Sequence, residues 1–317
     1  MAGIKQKQRP LKIGLLLPHW TGSQEGKTPR WTDILAMAQL AEEIGLDSLW
    51  VVDDLLLSFE TGDRVGMWEC WSLLAALAAS TKHITLGSLV SCNNFRNPAL
   101  LAKIADTVDE MSGGRIVLGL GAGGEKEEHQ TFGFPWEERF SRLEEALIIV
   151  QSLLQTGYAN FVGKYYQVQE CELSPRGPRQ HGPPLLIGTS STPGPRLLRL
   201  VAHYATYWNG WLGFERSAPD VVPPLRQKID AACHTHNRDP ETLERTLSVG
   251  MSISRHQIIL GPWNFTEGAI KGEQEEITEI LRAFAHQGIS HLQLYLAPST
   301  LRGIEALVPI LEMLERG

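Results

Sequence analysis

HITLGSLVSCNNFRNPALLAKIADTVDEMSGGRIVLGLGAG, residues 83–123, holds one complete strand–helix–strand unit. RIVLGLGAG (115–123) is apolar without strict alternation, the pattern of a parallel strand covered on both faces. HITLGSLVS (83–91) is the strand before it. Between them Asn97-Pro98 places a capping side chain ahead of a proline at the first helical turn, which opens a helix over 97–111. Two strands joined by a helix of this length are parallel neighbours.

Outward from this unit the same alternation recurs. The further apolar runs are KIGLLLP (12–18), DSLWVVDD (47–54), PPLLIGT (183–189), TYWNGWLG (206–213), TLSVGMSI (246–253) and HLQLYLAP (291–298), which brings the strands to eight. Helical segments are expected over 32–45, 68–80, 137–155, 194–204, 218–236, 273–287 and 301–315, with Thr32 or Asp33 capping the first. Gly45 and Gly288 fall where a left-handed residue ends a helix. Eight strand–helix pairs predict an α/β fold, a single closed (β/α)8 TIM barrel, ahead of an open doubly wound sheet. Insertions are expected after helix 4 and strand 7. Residues 156–183 contain a hairpin turning at Gly163-Lys164, and 254–272 carry Trp263 and Phe265, aromatic residues suited to a packed lid. Residues 1–11 read as a polar N-terminal tail, and 12–317 as the barrel domain.

Composition narrows the function. The 317 residues are 43% hydrophobic and 21% charged, with a net charge of −7, which fits a globular chain and disfavours nucleic acid as a partner. No apolar run approaches the ~20 residues of a membrane span, so no membrane partner is expected. Cys70, Cys92, Cys171 and Cys233 are scattered, as in a reduced, cytoplasmic protein with no structural metal site.

In a barrel the chemistry gathers at the C-terminal ends of the strands. Those ends carry small and aromatic residues and few ionisable groups, leaving room for a flat ligand. GLGAGG (119–124) matches a dinucleotide fingerprint only loosely, since it follows the fourth strand and a charged stretch delays the next helix. Its glycines let a planar ring approach the backbone. GTSSTPGPR (188–196) supplies hydroxyls and a helix N-terminus, which suits a phosphate as well as it suits ordinary capping. Of Asp53 and Asp54, only one can point into the barrel mouth. Glu125, Glu127 and Glu128 could pair with it in glycoside hydrolysis, though such a charge run more often faces solvent. His19 and Trp20 end the first strand and are placed to wall a substrate. His234 and His236 diverge on their helix and read as surface.

Residues 86–123 closely resemble the flavin- and deazaflavin-dependent barrel family that includes bacterial luciferase. SLWVVDDLLL (48–57), WECWSLLAALAAST (68–81), FGFPWEERFSRLEEAL (132–147) and YWNGW (207–211) support the likeness, which runs from about residue 12 to 315. The chain looks most like the branch that uses coenzyme F420, with FMN-dependent monooxygenases as the alternative and a non-catalytic cofactor-binding barrel as a third. The resemblance implies a hydride-transferring oxidoreductase acting on a small-molecule substrate, commonly as a homodimer. It implies that Asp53 lies beside the ring, and that Ser88, Leu89 and Val90 form a bulge with a cis Leu89–Val90 bond beneath it. Gly121, Ala122 and Gly123 would form a backbone wall. Gly188, Thr189 and Ser190 would clasp the phosphate, and Trp208 and Asn209 would lie near the cofactor. Arg196 and Arg199 are possible parts of a basic groove for the F420 tail. Many F420-using relatives carry Asp-His where this chain has Asp53-Asp54. The acid/base candidates are therefore Asp54, His19 and Glu128, unless the reaction needs none.

Overall fold

A computed structural model describes residues 9–212, 216–253, 256–260 and 263–316. The barrel strands are β1 (Lys12–Leu16), β2 (Ser48–Val51), β3 (Thr85–Ser88), β4 (Ile116–Gly121), β5 (Leu185–Ser190), β6 (Tyr207–Trp211), β7 (Glu244–Ser252) and β8 (His291–Ala297). All pair in parallel with their chain neighbours, β8 returns to β1, and β4 pairs with β5, so the sheet closes into the expected (β/α)8 barrel. After β3, Ser91–Cys92 pair again with Leu120–Gly121, which carries the third strand past an irregularity at 89–90.

The helices are α1 (Trp31–Glu43), α2 (Cys70–Ser80), α3 (Pro98–Ser112), α4 (Lys126–Phe132), α5 (Arg139–Thr156), α6 (Pro195–Tyr204), α7 (Val222–Thr235), α8 (Gln274–His286), α9 (Leu301–Glu305) and α10 (Val308–Arg316). The Asn97 side chain accepts from the N–H groups of Ala99 and Leu100 as the cap of α3. Helix α1 begins a residue earlier than expected. Asp33 sits in its first turn and accepts from the Arg30 N–H at 2.8 Å, so neither Thr32 nor Asp33 is the cap. Gly45 and Gly288 take positive φ, each +83°.

The main core lies between the barrel wall and the helices. Residues 1–8 of the expected tail lie outside the described residues. The segment after them is packed: Leu11 is fully buried, and Arg9 donates to Gly45 O and Asp47 Oδ2. The hairpin at 156–183 forms between Tyr158–Val162 and Gln167–Glu172. Glu145 of α5 pins its turn by accepting from the N–H groups of Lys164, Tyr165 and Tyr166. The segment after β7 carries a short pairing of Ile259–Leu260 with Trp263–Asn264. A third hairpin, Leu56–Ser58 with Arg64–Gly66, was not anticipated. Its signal was the turn around Gly62, which takes φ +87°. No helix among the described residues is long and apolar enough to cross a membrane.

Candidate active site

Strand parity sorts the side chains. Leu16, Trp50, Val52, Leu89, Val117 and Leu186 form an apolar plug inside the barrel. Trp50 fits because Gly87 faces it: a Cβ there would lie 2.3 Å from the indole. Deeper in the barrel, Asn209 donates to Gln293 Oε1 and Thr246 Oγ1 and accepts from Ser248 Oγ. Asn209 is therefore committed to the interior of the wall.

Above the plug, at the C-terminal ends of the strands, a cavity of about 440 Å³ opens. Trp20, Asp54, Glu125, Ser190, Trp211 and Tyr295 are among its walls. Leu57 and Met67 reach it from the unanticipated hairpin, and Leu260 and Phe265 from the segment after β7. A second cavity of about 430 Å³ shares Trp20 and Tyr295 with the first.

The two aspartates diverge as alternation demands. Asp53 is buried and turned outward. Arg96 grips it through two bonds of 2.6 and 2.9 Å, the Cys92 N–H donates to it at 3.0 Å, and Arg96 also donates to Glu69. Burial pushes Asp53 up to about 6, against the pull of Arg96. Its carboxylate belongs to an ion-pair cluster beneath the rim rather than to the cavity wall. Asp54 faces the cavity. Burial and then the charges of Glu128, Asp53 and Glu125 push it up to about 8, so it holds its proton at neutral pH.

Glu128 is in α4 and almost fully buried. Its carboxylate accepts from the N–H groups of Leu55 and Leu56, tying down the loop that carries Asp54. Burial raises its pKa. His19 is also fully buried, with Nδ1 2.9 Å from Leu17 O and Nε2 3.2 Å from Val52 O. Burial lowers its pKa. Neither Glu128 nor His19 is among the cavity walls; both have their polar atoms engaged by backbone. Of the three acid/base candidates, Asp54 alone is presented to a ligand.

The Leu89–Val90 bond is cis. Val90 turns into the barrel, and the glycines around it are shaped to it. A Cβ would come within 2.6 Å of Val90 at Gly121, 2.9 Å at Gly188 and 3.1 Å at Gly119. Gly123, with φ +83°, packs against Cys92 and His129, and Ala122 packs on the outer core. The Ser88 hydroxyl is spent on the wall, donating to Gly119 O and accepting from Gly119 N–H.

On β5 and β6, parity separates the expected clasp. Trp208 lies fully buried in the outer core, and its Nε1 donates to Thr189 Oγ1 at 2.8 Å. Both side chains point away from the mouth. Ser190 and Ser191 are at the cavity, next to an N-terminus of α6 that no side chain caps. Arg196 and Arg199 both pair with Glu144 of α5, at 2.8 and 2.6 Å, so their charge is already answered.

Tyr295 and Trp211 were missed as site residues, and Glu125 was weighed only as a partner acid for glycoside hydrolysis. Counting by twos along β6 and β8 finds the two aromatics: Trp211 shares the face of Asn209, and Tyr295 that of Gln293. Burial and the Asp54 charge push the Tyr295 phenol above its ordinary pKa.

Against known proteins, the family described as luciferase-like monooxygenase matches residues 11–257. The F420-dependent glucose-6-phosphate dehydrogenase of Amycolatopsis mediterranei (strain U-32) is 31% identical over 255 residues, 77% of this chain and 70% of that protein. The F420-dependent hydroxymycolic acid dehydrogenase of Mycobacterium tuberculosis (strain ATCC 25618 / H37Rv) is 29% identical over 280 residues, 86% of this chain and 71% of that protein. An F420-dependent secondary alcohol dehydrogenase, solved with an F420-acetone adduct, has the same fold: TM-score 0.79 at 19% identity, covering 96% of this chain and 99% of that one. The chain belongs to the luciferase-like monooxygenase family.

Proposed function

We propose that this protein is an F420-dependent oxidoreductase that moves a hydride between the deazaflavin and a small, largely apolar organic substrate in the cavity at the barrel mouth. The observation that carries the reading is Asp54, a carboxyl held protonated on the wall of a cavity otherwise rich in aromatic and aliphatic surface. The walls fit a flat ring with a phosphate tail. The plug provides an apolar floor, and Ser190, Ser191 and the uncapped α6 N-terminus offer hydroxyl and N–H donors for an anion. When bound, the deazaflavin supplies the hydride chemistry. The protein's part is to exclude water with Trp20, Trp211 and Phe265, and to donate or accept a proton at Asp54. The two similar F420-dependent dehydrogenases support this cofactor.

FMN is the second reading, favoured by one observation. Arg196 and Arg199 are paired to Glu144 and do not form the basic groove expected for an F420 tail. Equilibrium titration of the purified protein with each cofactor tests the choice. F420 is expected to bind and FMN to bind weakly; tight FMN binding without F420 binding overturns the cofactor. With reduced F420 and a panel of ketones, enones and imines, Asp54→Asn is expected to lower turnover roughly a hundredfold. Binding without turnover on any of them would favour a non-catalytic barrel.

A further inference from the structure

The carboxylates around the mouth are unequally provided for. Asp53 has Arg96, Glu127 has Arg64, and Glu128 has two backbone N–H groups. Asp54 and Glu125 face the cavity, and neither side-chain carboxyl has a hydrogen-bond or ion-pair partner among the described residues. Glu128, Asp53 and Glu125 each raise the cost of ionising Asp54, because like charges repel in a partly dry site. No Lys or Arg is found among the described residues lining the cavity. A phosphorylated or carboxylated substrate would meet two acids there. The remaining walls include Trp20, Trp211 and Tyr295, with the Trp211 and Tyr295 rings 5.0 Å apart at 80° and Trp20 6.3 Å from Tyr295. Aromatic faces beside carboxylates attract an organic cation.

We propose that the substrate's reacting carbon is double-bonded to nitrogen, an imine bound as its iminium cation between Asp54 and Glu125. This rests on the hydride-transfer reading above and names its substrate class. The balance closes without any further residue. The Asp54 carboxyl gives its proton to the imine nitrogen, leaving a carboxylate–iminium pair. The iminium carbon accepts a hydride from the reduced deazaflavin, which is oxidised by two electrons. The C=N π pair moves onto nitrogen, and a neutral amine results. Asp54 then regains a proton from solvent. The groups facing Asp54 are Glu125 and Glu128 from the α4 segment, Asp53 with Arg96 from the rim, and Tyr295 from β8. A cation among them offsets the acidic surplus.

Calorimetric binding near neutral pH, with no cofactor present, tests the charge preference. The probes are (3-hydroxyphenyl)trimethylammonium and its neutral isostere 3-tert-butylphenol. The ammonium is expected to bind at least about tenfold tighter than the neutral probe. Asp54→Asn and Glu125→Gln should each erode that preference while sparing 3-tert-butylphenol; Glu125→Gln keeps the test open if the first variant folds poorly. Repeating the titration in buffers of different ionisation enthalpy should find a proton released on ammonium binding by the wild type and none by Asp54→Asn. Equal affinities, or tighter binding of 3-tert-butylphenol, overturn the substrate class. F420 binding, measured separately by fluorescence, distinguishes the failures. F420 binding with no charge preference sinks the iminium proposal alone, and ammonium preference without F420 binding sinks the cofactor reading alone.

Discussion

Asp54 stores its chemistry as an electrostatic debt. Its pKa is about 8 in the fold against an ordinary 3.8, because burial and three neighbouring carboxylates oppose its charge. The linkage runs one way. The group's contribution to stability is fully present below its unfolded pKa and is lost as pH rises through about 8. Asp54→Asn has no proton to lose. The variant is therefore expected to melt above the wild type at alkaline pH and beside it near pH 4, as thermal melts across that range would record. A variant that melts lower at every pH would mean that the carboxyl is a structural contact. Strand alternation said that only one of two adjacent acids could face the mouth, and Asp54 became the candidate because it stands where similar F420-using chains carry a histidine. Sequence reasoning did not find that Asp53 is claimed by Arg96, since the partner lies 43 residues away across the rim.

At the scale of elements, two contacts hold the mouth in shape. Arg96, two residues ahead of α3, carries the charge that answers buried Asp53. Removing it in Arg96→Met leaves an unpaired buried carboxylate, a loss of about 3–5 kcal/mol. That loss should shrink below about pH 6, where Asp53 takes up a proton. Urea unfolding at acidic and alkaline pH measures both values. The second contact is between strands. Gly121 on β4 leaves space that Val90 fills, with only 2.6 Å available for a Cβ. Gly121→Ala should destabilise by about 1–3 kcal/mol, and adding Val90→Ala should return most of it. Independent, additive losses in the double variant would contradict the contact. The glycine run GLGAGG was legible as a place where backbone needs space, but the neighbour that needs it is a side chain from the preceding strand.

At the scale of the whole molecule, an oxidoreductase of the luciferase-like family stands on a closed eight-stranded barrel. Leu100 and Met111 on α3 and Ile148 on α5 are exposed apolar residues of the outer helical layer. A homodimer using this layer is our proposal. Sedimentation is expected at twice the monomer mass, and Leu100→Glu with Met111→Glu should halve it; a wild-type monomer at micromolar concentration would end the proposal. By itself the sequence determined the eight strands, the helices between them, the Asn97 cap with the Gly45 and Gly288 turns, and the end of the barrel where chemistry is expected. Those follow from local periodicity and turn residues, which act over a few positions. Only the tertiary structure decided which acid faces the ligand, that His19, Glu128, Thr189 and Trp208 spend their polar atoms inside the scaffold, and that Tyr295, Trp211 and Glu125 line one cavity with Asp54. Such outcomes depend on barrel closure, which brings β8 beside β1 and sets which partner reaches each buried polar group first.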